Sequence, residues 1–142
     1  MHRKKEVCLV GLVLISHSER LVDGLREMVA QVAGPDVAVS VAGGTDDGRL
    51  GTSAPRIAAA LRETLARSSD GALVLLDLGS AALSLELALE DLDTADRARV
   101  VVSEAPLVEG AITAAVQASV GSSLHEVAAA AAGAASLPKI PR

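Results

Sequence analysis

The chain has 142 residues, half of them hydrophobic, with 13 basic and 18 acidic side chains and a formal net charge of −5. That length suits one domain burying roughly 70% of the surface its unfolded form exposes, and the acidic balance excludes the basic footprint of a nucleic-acid or anionic-membrane binder. Phe, Trp and Tyr are absent, so platforms that stack bases or sugars are excluded and the core must be aliphatic.

Taken in chain order, residues 1–6 read as an N-terminal tail. The continuous apolar run Val7–Ile15 reads as a buried parallel strand, covered on both faces. The single cysteine, Cys8, lies in this run; it can form neither an internal disulfide nor a cysteine-cluster metal site and is expected to be a buried, inert thiol. The run ends in Ser-His-Ser-Glu-Arg, not in a small-residue cleavage site, and falls short of the roughly 20 residues of a membrane span. A cytoplasmic protein is therefore expected.

Leu21, Val22, Leu25, Met28, Val29 and Val32 then recur at helical spacing, and Gly34-Pro35 stops that helix. Val37, Val39 and Val41 alternate with small or polar residues, as in a second strand with one less buried face. Residues 43–53 form a Gly/Asp-rich loop, after which Thr52 or Ser53 caps a second helix carrying Ile57, Ala58, Leu61 and Leu65 on one stripe. Ala72–Leu76 is a third strand, and a third helix runs from near Ser80 to about Leu92. Arg99–Val102 is a fourth strand, Pro106 suits the first turn of a fourth helix, and Ser123 with Glu126 has the spacing of a capping box opening a last, Ala-rich helix. Residues 7–132 thus form the domain, and 133–142, with Pro138 and Pro141, a flexible tail.

Strand and helix alternate throughout, which predicts an α/β fold: an open, doubly wound, mainly parallel four-stranded sheet of order 2-1-3-4 with helices on both faces. Such sheets place their sites beyond the carboxyl ends of the strands. The polar residues concentrate there: Ser16-His17-Ser18 after strand one, the glycine loop after strand two, Asp77-Leu78-Gly79-Ser80 after strand three, and Ser103-Glu104 after strand four.

His17 is the most reactive candidate, because an imidazole with an ordinary pKa of about 6.5 supplies a neutral nucleophile near neutral pH; the plainer alternative is a histidine that caps a strand end. A phosphoryl group on it would lie near a helix N-terminus, where unpaired N–H groups favour anions. Asp77, on the neighbouring strand, can accept a hydrogen bond from one ring nitrogen and free the other to attack, or it can cap the third helix. Ser18, Gly44, Thr45, Arg49, Gly51, Thr52, Gly79 and Ser80 are candidates for holding the phosphoryl group or supporting the loop. On physics alone Arg49 reads first as a solvated loop arginine; Ser80 can be a plain N-cap, and His125 is a surface residue of the last helix. No metal site or cofactor is expected.

Several chemistries lack their residues. The only lysines are Lys4, Lys5 and Lys139, so no P-loop exists. The turn after strand one is Ser-His-Ser rather than glycine-rich, which excludes the dinucleotide fingerprint. Leu78-Gly79-Ser80-Ala81-Ala82 lacks the second glycine of a serine-hydrolase elbow.

Four stretches carry a family likeness: Leu14–Ser18, Gly44–Ser53, Asp77–Ala81 and Glu104–Gly110. In this order they resemble the DhaM family, subunit M of the bacterial dihydroxyacetone phosphotransferases, and more distantly the mannose-type IIA domains of the phosphotransferase system. The resemblance implies that His17 is phosphorylated by the phosphocarrier HPr, with Asp77 as its partner. The phosphoryl group then passes to ADP held by subunit L, and the ATP remade there phosphorylates dihydroxyacetone on subunit K. Phosphoenolpyruvate is the ultimate donor, through enzyme I, and a homodimer is implied. The alternative within the same fold is a regulatory binding module that converts phosphorylation state into partner binding.

Overall fold

The computed structural model describes residues 9–141. Cys8 and residues 1–6 lie outside them.

The described chain runs β1 (Gly11–Ser16), α1 (Glu19–Ala33), β2 (Val39–Gly43), α2 (Ala54–Arg67), β3 (Ala72–Leu76), a 3₁₀ turn at Gly79–Ala81, α3 (Ala82–Glu90), α4 (Thr94–Arg97), β4 (Val100–Ser103), α5 (Leu107–Ser119), α6 (Leu124–Gly133) and a 3₁₀ turn at Ala134–Ser136. The strands form one sheet of order β2-β1-β3-β4, with all three pairings parallel. This is the α/β architecture that the alternating apolar runs predict.

The two cores follow from strand parity, since successive side chains point to opposite faces. Leu12, Leu14, Leu73 and Leu75 pack under α1, α5 and α6. Val13, Ile15, Ala72 and Val74 pack under α2 and α3. Every residue of β1 is buried, so truncating one of its large side chains, as in Leu14→Ala, costs about 2–5 kcal/mol through lost transfer energy and a cavity.

Local signals set the helix starts. The Ser18 hydroxyl accepts from the Leu21 N–H, Ser53 from Arg56 and Asp93 from Asp96. Ser123 and Glu126 make the reciprocal capping box. Gly34, at φ +76, closes α1 by donating to the Ala30 carbonyl.

The structure differs from the sequence pattern in six places. β1 pairs from Gly11, while Val7 of the expected strand lies outside the described residues: Leu9 and Val10 are buried but precede the first ladder pair, Gly11 with Ala72. β2 is not half-exposed: Ser40 is buried, because Thr64 of α2 donates to its hydroxyl at 2.7 Å. In α1 the buried stripe is Val22, Leu25, Val29 and Ala33, and Leu21, Met28 and Val32 face outward. The third helix is divided into a 3₁₀ turn and α3, and α4 follows it. Pro106 stands one place before α5, as its N-cap residue. Past α6, Ala134 is buried and Lys139 pairs with Glu109 of α5 at 2.8 Å.

Candidate functional site

Parallel register builds the site. β1 and β3 align Ile15 with Leu76, so the residues that follow, Ser16-His17 and Asp77, emerge side by side although 60 positions apart. The Asp77 N–H donates to the Ile15 carbonyl at 3.1 Å, extending the ladder by one bond.

Asp77 Oδ1 stands 2.9 Å from His17 Nδ1 and accepts the Leu78 N–H at 2.8 Å. Asp77 Oδ2 accepts the His17 N–H and the Ser16 hydroxyl, each at 2.9 Å. Burial pushes this carboxyl up, but the His17 N–H, the His17 imidazole and the Ser16 hydroxyl outweigh it and hold Asp77 below the usual carboxylate range. An ionised Asp77 accepts only, so Nδ1 carries the imidazole proton and Nε2 keeps its lone pair.

Nε2 points toward solvent. The His17 side chain keeps 26% of its exposure and Asp77 15%. The exposed Ser80 hydroxyl lies 2.9 Å from Nε2 and donates to it when Nδ1 is protonated. Ser80 caps no helix, as the turn Gly79–Ala81 has no side-chain cap. Chemically this is a nucleophilic nitrogen with its tautomer fixed from behind and a hydroxyl beside its open face.

The glycine loop frames the backbone of the same residues. The Gly44 N–H donates to the Ser16 carbonyl at 3.2 Å and the Gly51 N–H to the His17 carbonyl at 2.9 Å. Gly51, at φ +143, leaves no room for a Cβ, which would stand 2.8 Å from Thr45 Cγ2. Thr45 ties the loop to itself through the Arg49 N–H, which donates to its hydroxyl at 3.1 Å. Arg56 donates to the Thr45 carbonyl at 3.0 Å and lies 3.6 Å from Glu19, joining the loop to α1.

The structure thus brings His17, Asp77 and Ser80 into direct contact and sets Ser18 at the start of α1 beside them. Gly44, Thr45, Gly51 and Thr52 support the loop, with Thr52 bonded to Ser84 of α3 at 2.7 Å. Ser53, not Thr52, caps α2. Arg49 is 80% exposed and its guanidinium pairs with Asp47 at 2.9 Å. Gly79 lies beside a crevice of about 410 Å³ between the ends of β3 and β4, which Asp77, Leu78, Glu104 and Pro106 also line. His125 is exposed on α6. Ser16 was not among the candidates singled out in the sequence. The signal for it is a hydroxyl closing an otherwise apolar strand.

A family model described as "EIIA-man: PTS system fructose IIA component" matches residues 11–128. The chain belongs to the EIIA-man family. The match begins where β1 begins and ends in α6, so all four strand ends lie inside it.

Among EIIA-man relatives, this chain is of the DhaM type. It is 44% identical over 119 residues to the "PEP-dependent dihydroxyacetone kinase 2, phosphoryl donor subunit DhaM" of Listeria innocua, covering 84% of this chain and 94% of that one. It is 40% identical over 122 residues to the "PEP-dependent dihydroxyacetone kinase, phosphoryl donor subunit DhaM" of Escherichia coli, covering 84% of this chain but 25% of that longer protein. The crystal structure of "unknown function protein EF1359" superposes with a TM-score of 0.77 at 36% identity, covering 88% of this chain and 94% of that one.

Proposed function

We propose that this chain is the phosphoryl donor subunit of a phosphoenolpyruvate-dependent dihydroxyacetone kinase, and that it works as a phosphohistidine carrier. The carrying observation is the 2.9 Å contact between His17 Nδ1 and Asp77, which leaves Nε2 unprotonated at the surface. The names of the relatives supply the direction of transfer.

In this reading, HPr brings the phosphoryl group to His17. The Nε2 lone pair forms the N–P bond while the bond from phosphorus to the donor breaks, its electron pair leaving with the donor. Asp77 stabilises the imidazolium character that develops. The Ser80 hydroxyl turns from Nε2 to a phosphoryl oxygen, joined by N–H groups at Gly79 and Ser80. Subunit L then presents ADP, a β-phosphate oxygen attacks phosphorus, and the N–P electrons return to Nε2. Little covalent machinery is needed, because phosphoryl transfer is mainly a matter of positioning and charge stabilisation. The carrier itself needs no metal, cofactor or contact with dihydroxyacetone, which meets ATP on subunit K. Its place is the cytoplasm with those partners; among the described residues no helix is long and apolar enough to cross a membrane.

The homodimer has a face to use. Leu21, Met28 and Val32 line the side of α1 away from Glu19 and Gly43, and Val108 and Val116 are exposed on the adjoining α5, with Val120 exposed just past its end. Glu109 is the one charged residue of α5, and an apolar surface with few charges is the composition of a lasting self-interface. Met28→Asp is expected to give monomers in sedimentation; an intact dimer would move the interface elsewhere.

The test of the main reading is intact mass after incubation with phosphoenolpyruvate, enzyme I and HPr. An acid-labile gain of one phosphoryl group is expected, and none for His17→Ala, which keeps the fold. Phosphorylation of that variant would sink the proposal.

A further inference from the structure

We propose that Ser16 is a positioning residue for this transfer, holding the Asp77 carboxylate in the orientation that keeps the proton on His17 Nδ1. The proposal rests on the phosphohistidine reading of the site. Ser16 is fully buried at the end of β1. Its hydroxyl accepts the Ser18 N–H at 3.0 Å and stands 2.9 Å from Asp77 Oδ2. A hydroxyl has one proton, and an ionised carboxylate cannot donate. Both neighbours therefore fix the same rotor: the proton points at Asp77 and a lone pair points at Ser18.

The result is a saturated carboxylate. Oδ1 meets His17 Nδ1 and the Leu78 N–H, and Oδ2 meets the His17 N–H and Ser16. Two of these donors are backbone and one is the nucleophile's own ring, so Ser16 is the remaining side chain. The torsion that turns a carboxylate about its last bond is soft, and a hydrogen bond to a charged acceptor is among the stronger ones. Without Ser16, Oδ2 keeps a single donor, the Ser18 N–H loses its acceptor, and the carboxylate turns away from Nδ1. The imidazole then also populates the Nε2–H tautomer, which has no lone pair to attack with. Ser16 touches neither the reacting nitrogen nor the phosphoryl group and acts wholly through Asp77.

The test pairs kinetics with the tautomer itself. Ser16→Ala, Ser16→Thr and Ser16→Cys are compared with the wild type, using phospho-HPr as donor and ¹⁵N-imidazole shifts of His17 at a pH above its titration. Ser16→Ala is expected to stay folded, to lose about tenfold to a hundredfold in kcat with KM unchanged, and to give a mixture of tautomers where the wild type gives Nδ1–H alone. Ser16→Thr, which keeps the hydroxyl, restores both readouts. Ser16→Cys, a weak donor of similar size, falls between and carries the test if the alanine variant does not fold. A folded Ser16→Ala with wild-type kcat overturns the assignment, as does a loss of kcat with the tautomer unchanged. The tautomer is measured without phosphorylation, so failure of the carrier reading and failure of the Ser16 assignment are seen separately.

Discussion

Toward the amino end of the sheet, Thr64 donates to Ser40 at 2.7 Å, and Arg99 donates to the Leu65 and Ser68 carbonyls at 3.1 and 2.6 Å. At the carboxyl end, Ser16, His17, Asp77 and Ser80 form a chain of equally short bonds. Both are sets of short polar bonds at the ends of one sheet. They differ in where they stop. The amino-end hydroxyls of Ser40 and Thr64 are buried and bonded inward, so that network only fixes the seat of α2 against β1 and β2. The carboxyl-end network stops at Nε2, an acceptor at the surface whose one partner, Ser80, is exposed and free to rotate. A buried network fully satisfied within itself gives rigidity; one with a single open end gives chemistry.

The comparison breaks first at Asp77. Asp77→Asn is expected to lower the rate of His17 phosphorylation by about 10²–10⁴, the range of losses when an orienting carboxylate no longer fixes the tautomer, with the fold retained in circular dichroism. It also tests the acid side. The folded Asp77 carboxyl is held below its ordinary value, so its contribution to stability is fully present above about pH 4 and is lost as pH falls through the lower folded value. Thermal midpoints of the wild type should therefore fall more steeply than those of Asp77→Asn as pH drops below the ordinary carboxylate range. Parallel curves for the two proteins would contradict the shift.

At the other end, Gly11→Ala places a Cβ against the Ser68 hydroxyl and the Thr64 methyl. Overpacking of this kind costs about 1–3 kcal/mol, to be read in denaturant midpoints, while phosphorylation per folded molecule stays at the wild-type level. Thr64→Val removes the donor to Ser40 and should cost about 1–2 kcal/mol in the same assay, again without a change in His17 chemistry. A selective loss of phosphorylation in either variant would mean that the two networks are coupled. Ser80→Ala gives the smallest effect: a fewfold lower phosphorylation rate and an unchanged midpoint, because its hydroxyl is exposed and water replaces it.

Much of this was legible along the chain. The apolar runs at Leu12–Ile15 and Ala72–Leu76 announce parallel strands, and the polar residue after each announces a strand end. Capping hydroxyls at Ser18, Ser53 and Ser123 are local signals, because a cap is decided within four residues. For Arg49 the solvated loop position was legible, but its partner was not. Its guanidinium pairs with Asp47, a bond made by the fold of the glycine loop, not by its composition. Nor was β2, where Ser40 imitates a solvent-facing residue and is instead buried under Thr64.

The sequence by itself determined the alternation of strands and helices, the strand order it implies, and the placing of His17 and Asp77 at two neighbouring strand ends. Apolar period, turn residues and caps are short-range, and each is settled by nearby residues. Only the tertiary structure decided which atoms meet. The pairing of Ile15 with Leu76 depends on both helix layers packing at once, and a slip of one residue would turn every β3 side chain to the other face. From that register follow the buried Ser16 hydroxyl behind Asp77, the bond to Nδ1, and Nε2 left open beside Ser80.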